Sequence, residues 1–242
     1  MLLQRVCVLV SALFAVGASF LQATGALGLA PDEFARQGAG TVEAAPYAFA
    51  IWGPIYAWLL VYAVYQLKPG WADDAVLRRF GWPSVISMVA IGLWLIAAGA
   101  NWRWATVVLI ALAAAVLVAV LVSPVDHVSQ RDRLLAVTPL ALLAGWLTIA
   151  TGLNAVTVLT AEGFVREEAA TWWALGGITV SVAVALAVFL SGRVLAYPLP
   201  VIWGLVAVFV AERAHRSPAA WFALVCALVL AIAAARGLRR EG

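Results

Sequence analysis

Tyr47-Ala-Phe-Ala-Ile-Trp-Gly-Pro-Ile-Tyr-Ala-Trp-Leu-Leu-Val-Tyr-Ala-Val-Tyr65 runs without a single charge. It is long enough to cross a bilayer as a helix. It is also crowded with rings: Tyr47, Phe49, Trp52, Tyr56, Trp58, Tyr62 and Tyr65. A helix that only has to dissolve in lipid needs no more than Leu, Ile, Val and Ala. At 100° per residue, Phe49, Trp52, Tyr56 and Leu59 fall within a narrow arc. An interfacial aromatic belt accounts for Tyr47 and Tyr65 at the ends. It accounts poorly for Trp52 and Tyr56, which suggest a shaped, polarisable wall.

The rest of the chain has the same character. Of its 242 residues, 65% are hydrophobic and 11% charged, with a mean hydropathy of +1.02. A water-soluble domain could not cover its surface from that supply. In hydrocarbon the backbone must satisfy its own hydrogen bonds, by helices or a closed barrel. The apolar runs are continuous rather than alternating, which selects helices. The fold class is therefore all-α, a polytopic membrane bundle. Cys7 and Cys226 lie in apolar runs and read as small buried hydrophobes. The modest net charge of +3 is scattered and gives no reason to expect nucleic acid.

Eight spans are expected. They cover Val6–Leu29, Tyr47–Tyr65, Pro83–Ala100, Ala105–Val122, Leu134–Thr160, Trp172–Leu190, Val194–Val210 and Ala219–Ala235. The first is longer than a signal-peptide core and is read as a retained helix. Ala30 to Pro46, the longest loop, is a candidate lid. Lys68-Pro69-Gly70 stops the second span. The fourth span, nearly all Ala, Val and Leu, offers no chemistry. Pro198 and Pro200 interrupt the seventh near its start. Ten of the fifteen Lys and Arg fall on the side of the N-terminus. The positive-inside rule then places both termini in the cytoplasm.

No ionisable residue lies in the middle of a span, which argues against an ion-driven carrier. His127 and His215 are loop residues beside charges. Asp73-Asp74 and Glu167-Glu168 read as solvated loop faces. No phosphate loop, zinc helix or nucleophile elbow is present, so no catalytic or metal-ligating residue is assigned. The fifth span is the second informative element. Pro139, Trp146 and Leu153 repeat every seven residues on one stripe, with Ala150 and Asn154 on its flank. Ala141 to Gly145, and Ala144, Thr148 and Gly152, place small residues four apart, which lets a neighbouring helix approach closely. Asn154 is costly in an apolar helix unless hydrogen-bonded. Its partner is either another helix or a ligand.

Together these elements resemble the translocator protein family, also called tryptophan-rich sensory or TspO/MBR proteins. The second span resembles its Trp-x-Phe-x-x-x-Trp-x-x-x-Tyr pattern through Tyr47, Phe49, Trp52, Pro54 and Tyr56, with Tyr in the first Trp position and one residue fewer between Phe49 and Trp52. Gly145-Trp-Leu-Thr-Ile-Ala-Thr-Gly-Leu-Asn154 resembles its Ala/Gly-Trp-x-Ser/Thr-x-Ala-x-x-Leu-Asn signature. Trp94 stands where the family has Asn-x-x-Trp, with Ile91 in the Asn position. The resemblance covers residues 1–160. Residues 161–242, three further helices and a basic tail, look like the extension of a longer bacterial branch.

The resemblance implies a five-helix pocket closed by the loop after the first span. Such a pocket binds porphyrin or haem, and in some members sterol, as sensor, regulator or transporter. Phe49, Trp52 and Tyr56 would line it from the second helix, Trp146, Ala150 and Asn154 from the fifth, with Trp94 nearby. No cofactor is assigned beyond a porphyrin or haem held as ligand. Some members have been proposed to degrade porphyrin with light; an enzymatic role is not expected here. The expected partners are the lipid bilayer of a bacterial inner membrane, a porphyrin-like small molecule and a second copy in a homodimer. The competing expectations are a small-solute permease using all eight helices and an assembly protein without a ligand.

Overall fold

The computed structural model describes residues 2–67, 74–123, 128–192 and 194–241, the last four of these as backbone only. Lys68-Pro69-Gly70, Asp73, His127 and Arg193 lie outside the described residues. Among those described there is no strand, as an all-α membrane bundle requires. The helices are α1 (Leu2–Ala23), α2 (Pro31–Ala35), α3 (Trp52–Tyr65), α4 (Ala75–Gly99), α5 (Arg103–Leu121), α6 (Gln130–Asp132), α7 (Thr138–Ala161), α8 (Ala170–Gly192), α9 (Pro198–Glu212) and α10 (Ser217–Glu241). Short 3-10 turns cover Arg36–Gly38, Pro46–Ile51 and Glu167–Ala169.

Among the described residues, seven helical segments are long and apolar enough to cross a membrane. The expected seventh span is the exception. It becomes the 15-residue α9, about 22 Å long at 1.5 Å per residue, against a hydrocarbon core of roughly 30 Å. Pro198 and Pro200 set its start, because a proline is tolerated in the first turn and not deeper. Two other boundaries also move. The first span ends at Ala23 rather than Leu29, and the chain turns through Gly25 and Gly28 at φ 77° and 97°. The third begins at Ala75 rather than Pro83. Asp74 accepts the Val76 and Leu77 N–H groups at 2.8 and 3.2 Å, and Val76, Leu77 and Phe80 are buried. Asp74 is thus a helix cap, not a solvated loop face. Glu167 and Glu168 are exposed, as expected.

α7 is the axis of the bundle. It packs on α5, α8, α9 and α3, while α1 lies along α4, and α10 against α9 and α8. One turn of wider π-type helix, Arg133–Val137, leads into it. That turn eases the chain past Pro139, which cannot donate to the preceding turn. The small-residue stripe does what its spacing predicts. A Cβ on Gly145 would strike the Tyr197 carbonyl just before α9, and one on Gly152 would strike Ser181 and Gly177 of α8. Backbones at such close range need glycine on the facing surface. Thr148 and Tyr197 share a hydroxyl hydrogen bond of 2.6 Å across the α7–α9 contact.

Candidate functional site

A cavity of about 70 Å³ lies beside α7 under the segment that follows α1. Phe49 and Trp52 wall it where the 3-10 turn Pro46–Ile51 passes into α3. Trp94 of α4, Ile110 of α5, and Trp146, Ala150, Leu153, Asn154 and Thr157 of α7 complete the sides. Pro31, Phe34, Ala35, Val42, Glu43 and Ala44 close the top. Among the described residues, none from α8, α9 or α10 lines it.

The rings form a cage. Trp146 meets Trp52 edge to face, with centroids 6.1 Å apart and planes at 85°, and meets Phe49 at 6.4 Å and 81°. Phe34, from the covering segment, sits edge-on to Trp94 at 6.3 Å. These are the T-shaped contacts that ring quadrupoles favour. Trp94 is 7% exposed and Trp146 5%. The indole N–H groups of Trp52 and Trp94 are buried and find no hydrogen-bond partner among the described residues. Two unpaired donors on residues that wall one apolar cavity are unusual, since buried polar groups are nearly always paired.

The covering segment is a lid by geometry. Gly38 presses so closely on Thr157 of α7 that a Cβ there would clash with the helix backbone. Thr160 donates to the Thr41 hydroxyl at 2.7 Å. The Ala45 N–H donates to the Ala207 carbonyl of α9 at 3.1 Å. Gln37 donates to Asn101 at 3.0 Å and accepts from Arg103 at 2.9 Å, and Arg103 pairs with Glu162 at 3.2 Å. The loops expected on one side of the membrane thus meet at one end of the bundle. At the corner between α9 and α10, Glu212 is 3% exposed. Burial pushes its carboxyl above the ordinary value, and the Glu43 N–H and the Arg216 guanidinium pull it back.

Six of the seven residues expected at the site, Phe49, Trp52, Trp94, Trp146, Ala150 and Asn154, reach the cavity wall. Tyr56 does not. It lies buried behind Trp52 and stacks on it at 5.0 Å and 17°. Tyr56 does share a face with Trp52, one turn further along α3, but the cavity wall ends at the Trp52 ring stacked on it. Asn154 has both candidate settings at once. It faces the cavity, and its amide donates to Thr106 of α5 at 3.0 Å. The fourth span therefore reaches the site after all, through Thr106, which accepts from Asn154, and Ile110, which lines the cavity. A hydroxyl and an isoleucine among many alanines and valines gave no periodic signal. Ile91, in the family's Asn position, is simply buried. Among the described residues no three His, Cys, Asp or Glu side chains gather as metal ligands, and His215 is exposed.

The cavity wall therefore offers aromatic rings and one amide, and two of its tryptophans carry unpaired indole donors. The family model described as TSPO-like protein matches residues 5–236, which includes α8 to α10. Comparison with curated proteins and with solved structures gave no match.

Proposed function

The chain belongs to the TSPO-like protein family, and from that premise we propose that it binds a flat, apolar, acceptor-bearing molecule of the porphyrin kind in the cavity beneath the lid. The observation that carries this reading is the ring cage of Phe34, Phe49, Trp52, Trp94 and Trp146, two of whose tryptophans carry buried, unpaired indole donors. A planar macrocycle gains from offset and edge contacts with such rings. Its carboxylate or carbonyl oxygens would pair the two donors, whose isolation otherwise costs free energy. The role is that of a sensor, regulator or carrier rather than an enzyme.

Size adds a condition. Ligand pockets for molecules of this class run to about 300–1,000 Å³, so a cavity of about 70 Å³ is a closed state. Binding then requires the lid to move, and association should be slow and saturable in rate. The permease alternative draws its support from Pro198, Pro200 and the short α9, the kind of interrupted helix found at transporter sites. That no described residue of α8 to α10 lines the cavity weighs for the first reading. We place both termini on the cytoplasmic side of a bacterial inner membrane, from the Lys and Arg bias, with α9 completing the eighth crossing.

The test is a titration of detergent-purified protein with protoporphyrin, following tryptophan quenching. Saturable binding that weakens in Trp52→Ala and Trp146→Ala supports the site. Quenching that never saturates and ignores both substitutions is partition into the micelle and removes it.

A further inference from the structure

We propose that Glu212 and Arg216 latch the lid shut, so that the corner between α9 and α10, two helices none of whose described residues lines the cavity, sets how often it opens. Residues 39–45 have no regular secondary structure, so their backbone groups must find partners elsewhere. Three of these groups find them in two side chains at one corner. The Glu43 N–H donates to Glu212 Oε1 at 2.7 Å. Arg216 Nη1 donates to the Ala39 carbonyl at 3.0 Å and Nη2 to the Gly40 carbonyl at 2.6 Å. Arg216 Nη1 also reaches Glu212 Oε2 at 3.3 Å, which aligns the guanidinium with both carbonyls.

The placement matters as much as the bonds. Glu43 lines the cavity between Val42 and Ala44, which line it as well. Releasing the Glu43 N–H therefore loosens the lid where it covers the site. The bonds from Arg216 are charge-assisted and so stronger than neutral ones, and the Glu212 side chain that aligns it is shielded from water. The lid's own ion pairing, of Arg36 with Asp32 and Glu33, is internal to α2 and its C-cap and exposed at both ends. It ties the lid to nothing and contributes little.

Lid closure stands on this geometry alone; its consequence for ligand entry rests on the cavity being the binding site. The test separates the two. Amide hydrogen exchange is followed in ligand-free, full-length wild type, Arg216→Ala, Glu212→Ala and Glu212→Gln, with α7 amides as the folding control. Exchange at residues 39–45 should quicken about ten-fold or more in both alanine variants, while α7 stays protected. Glu212→Gln, which keeps an acceptor of the same shape, should stay near wild type. Unchanged exchange in Arg216→Ala, with α7 protected, overturns the latch. Should Glu212→Ala fail to fold, Arg216→Ala decides, since that side chain is partly exposed.

The second arm is protoporphyrin mixing by stopped flow. Faster association in Arg216→Ala supports gating of entry by the latch. Loosened exchange with no saturable binding in any variant keeps the latch and removes the cavity as the porphyrin site. Binding with unchanged exchange does the reverse.

Discussion

Trp146 and Trp52 stand edge to face across the cavity, 6.1 Å between centroids and 85° between planes. They come from separate helices, and each also touches a second ring: Phe49 for Trp146, Tyr56 for Trp52. Either Trp→Ala substitution should weaken protoporphyrin binding by a few-fold to ten-fold, from the loss of ring contacts of about 0.5–1.5 kcal/mol. Tyr56→Phe keeps the stack under Trp52 and should leave affinity unchanged. An equal loss in Tyr56→Phe would mean that its hydroxyl touches the ligand.

Trp52→Phe and Trp94→Phe remove donors that have no partner. Losing an unsatisfied donor relieves a penalty, so each variant should melt no lower than expected from its smaller ring alone. Affinity for a carboxylate-bearing porphyrin should nevertheless fall. Thermal melts with and without protoporphyrin read both effects, and undiminished ligand stabilisation in the two variants would refute donor pairing.

Asn154 and Thr106 lock α7 to α5. A double-mutant cycle of Asn154→Ala and Thr106→Val should give a coupling of about 0.5–1.5 kcal/mol. Additive melting shifts would mean that this bond does not hold the two helices together.

Gly145→Ala should destabilise by about 1–3 kcal/mol, because the added methyl meets the Tyr197 backbone rather than a movable side chain. Gly176→Ala, where nothing lies within 4 Å of the new atom, should be neutral or stabilising, since alanine is the better helix former. Detergent melts of the two variants should therefore shift in different directions.

Burial raises the Glu212 carboxyl in the closed lid, so proton uptake there favours closure over an open state in which the group meets water. The contribution is fully present below the ordinary value of 4.5. It is lost as the pH rises through the raised value. Arg216 and Glu43 are the charged groups that bear on it. Lid exchange, corrected for the intrinsic pH dependence of amides, should slow on acidification in wild type and lose this dependence in Glu212→Gln. Faster opening in acid would mean that the Arg216 attraction outweighs burial.

The two stretches that carried the family resemblance, around Trp52 and Trp146, are also the two that supply most of the side walls. Each is a contiguous helical pattern, so spacing alone brings its residues to one face. Tyr56 shares that face but not the cavity, because the wall ends one turn before it, at Trp52. Thr106 and Ile110 carry no such signal, because single residues in an apolar helix have no pattern to stand out from.

What the sequence determined by itself was the membrane-spanning, all-helical class, the ring-rich faces and the small-residue seam of α7. These follow from hydropathy and from periods of a few residues, and both are properties of neighbouring positions. The tertiary structure alone decided that the lid is closed, that Asn154 is held by Thr106, and that Glu212 grips a backbone amide 169 positions away. An irregular segment has no periodicity to read. Its backbone groups are satisfied by whichever side chains packing brings within reach.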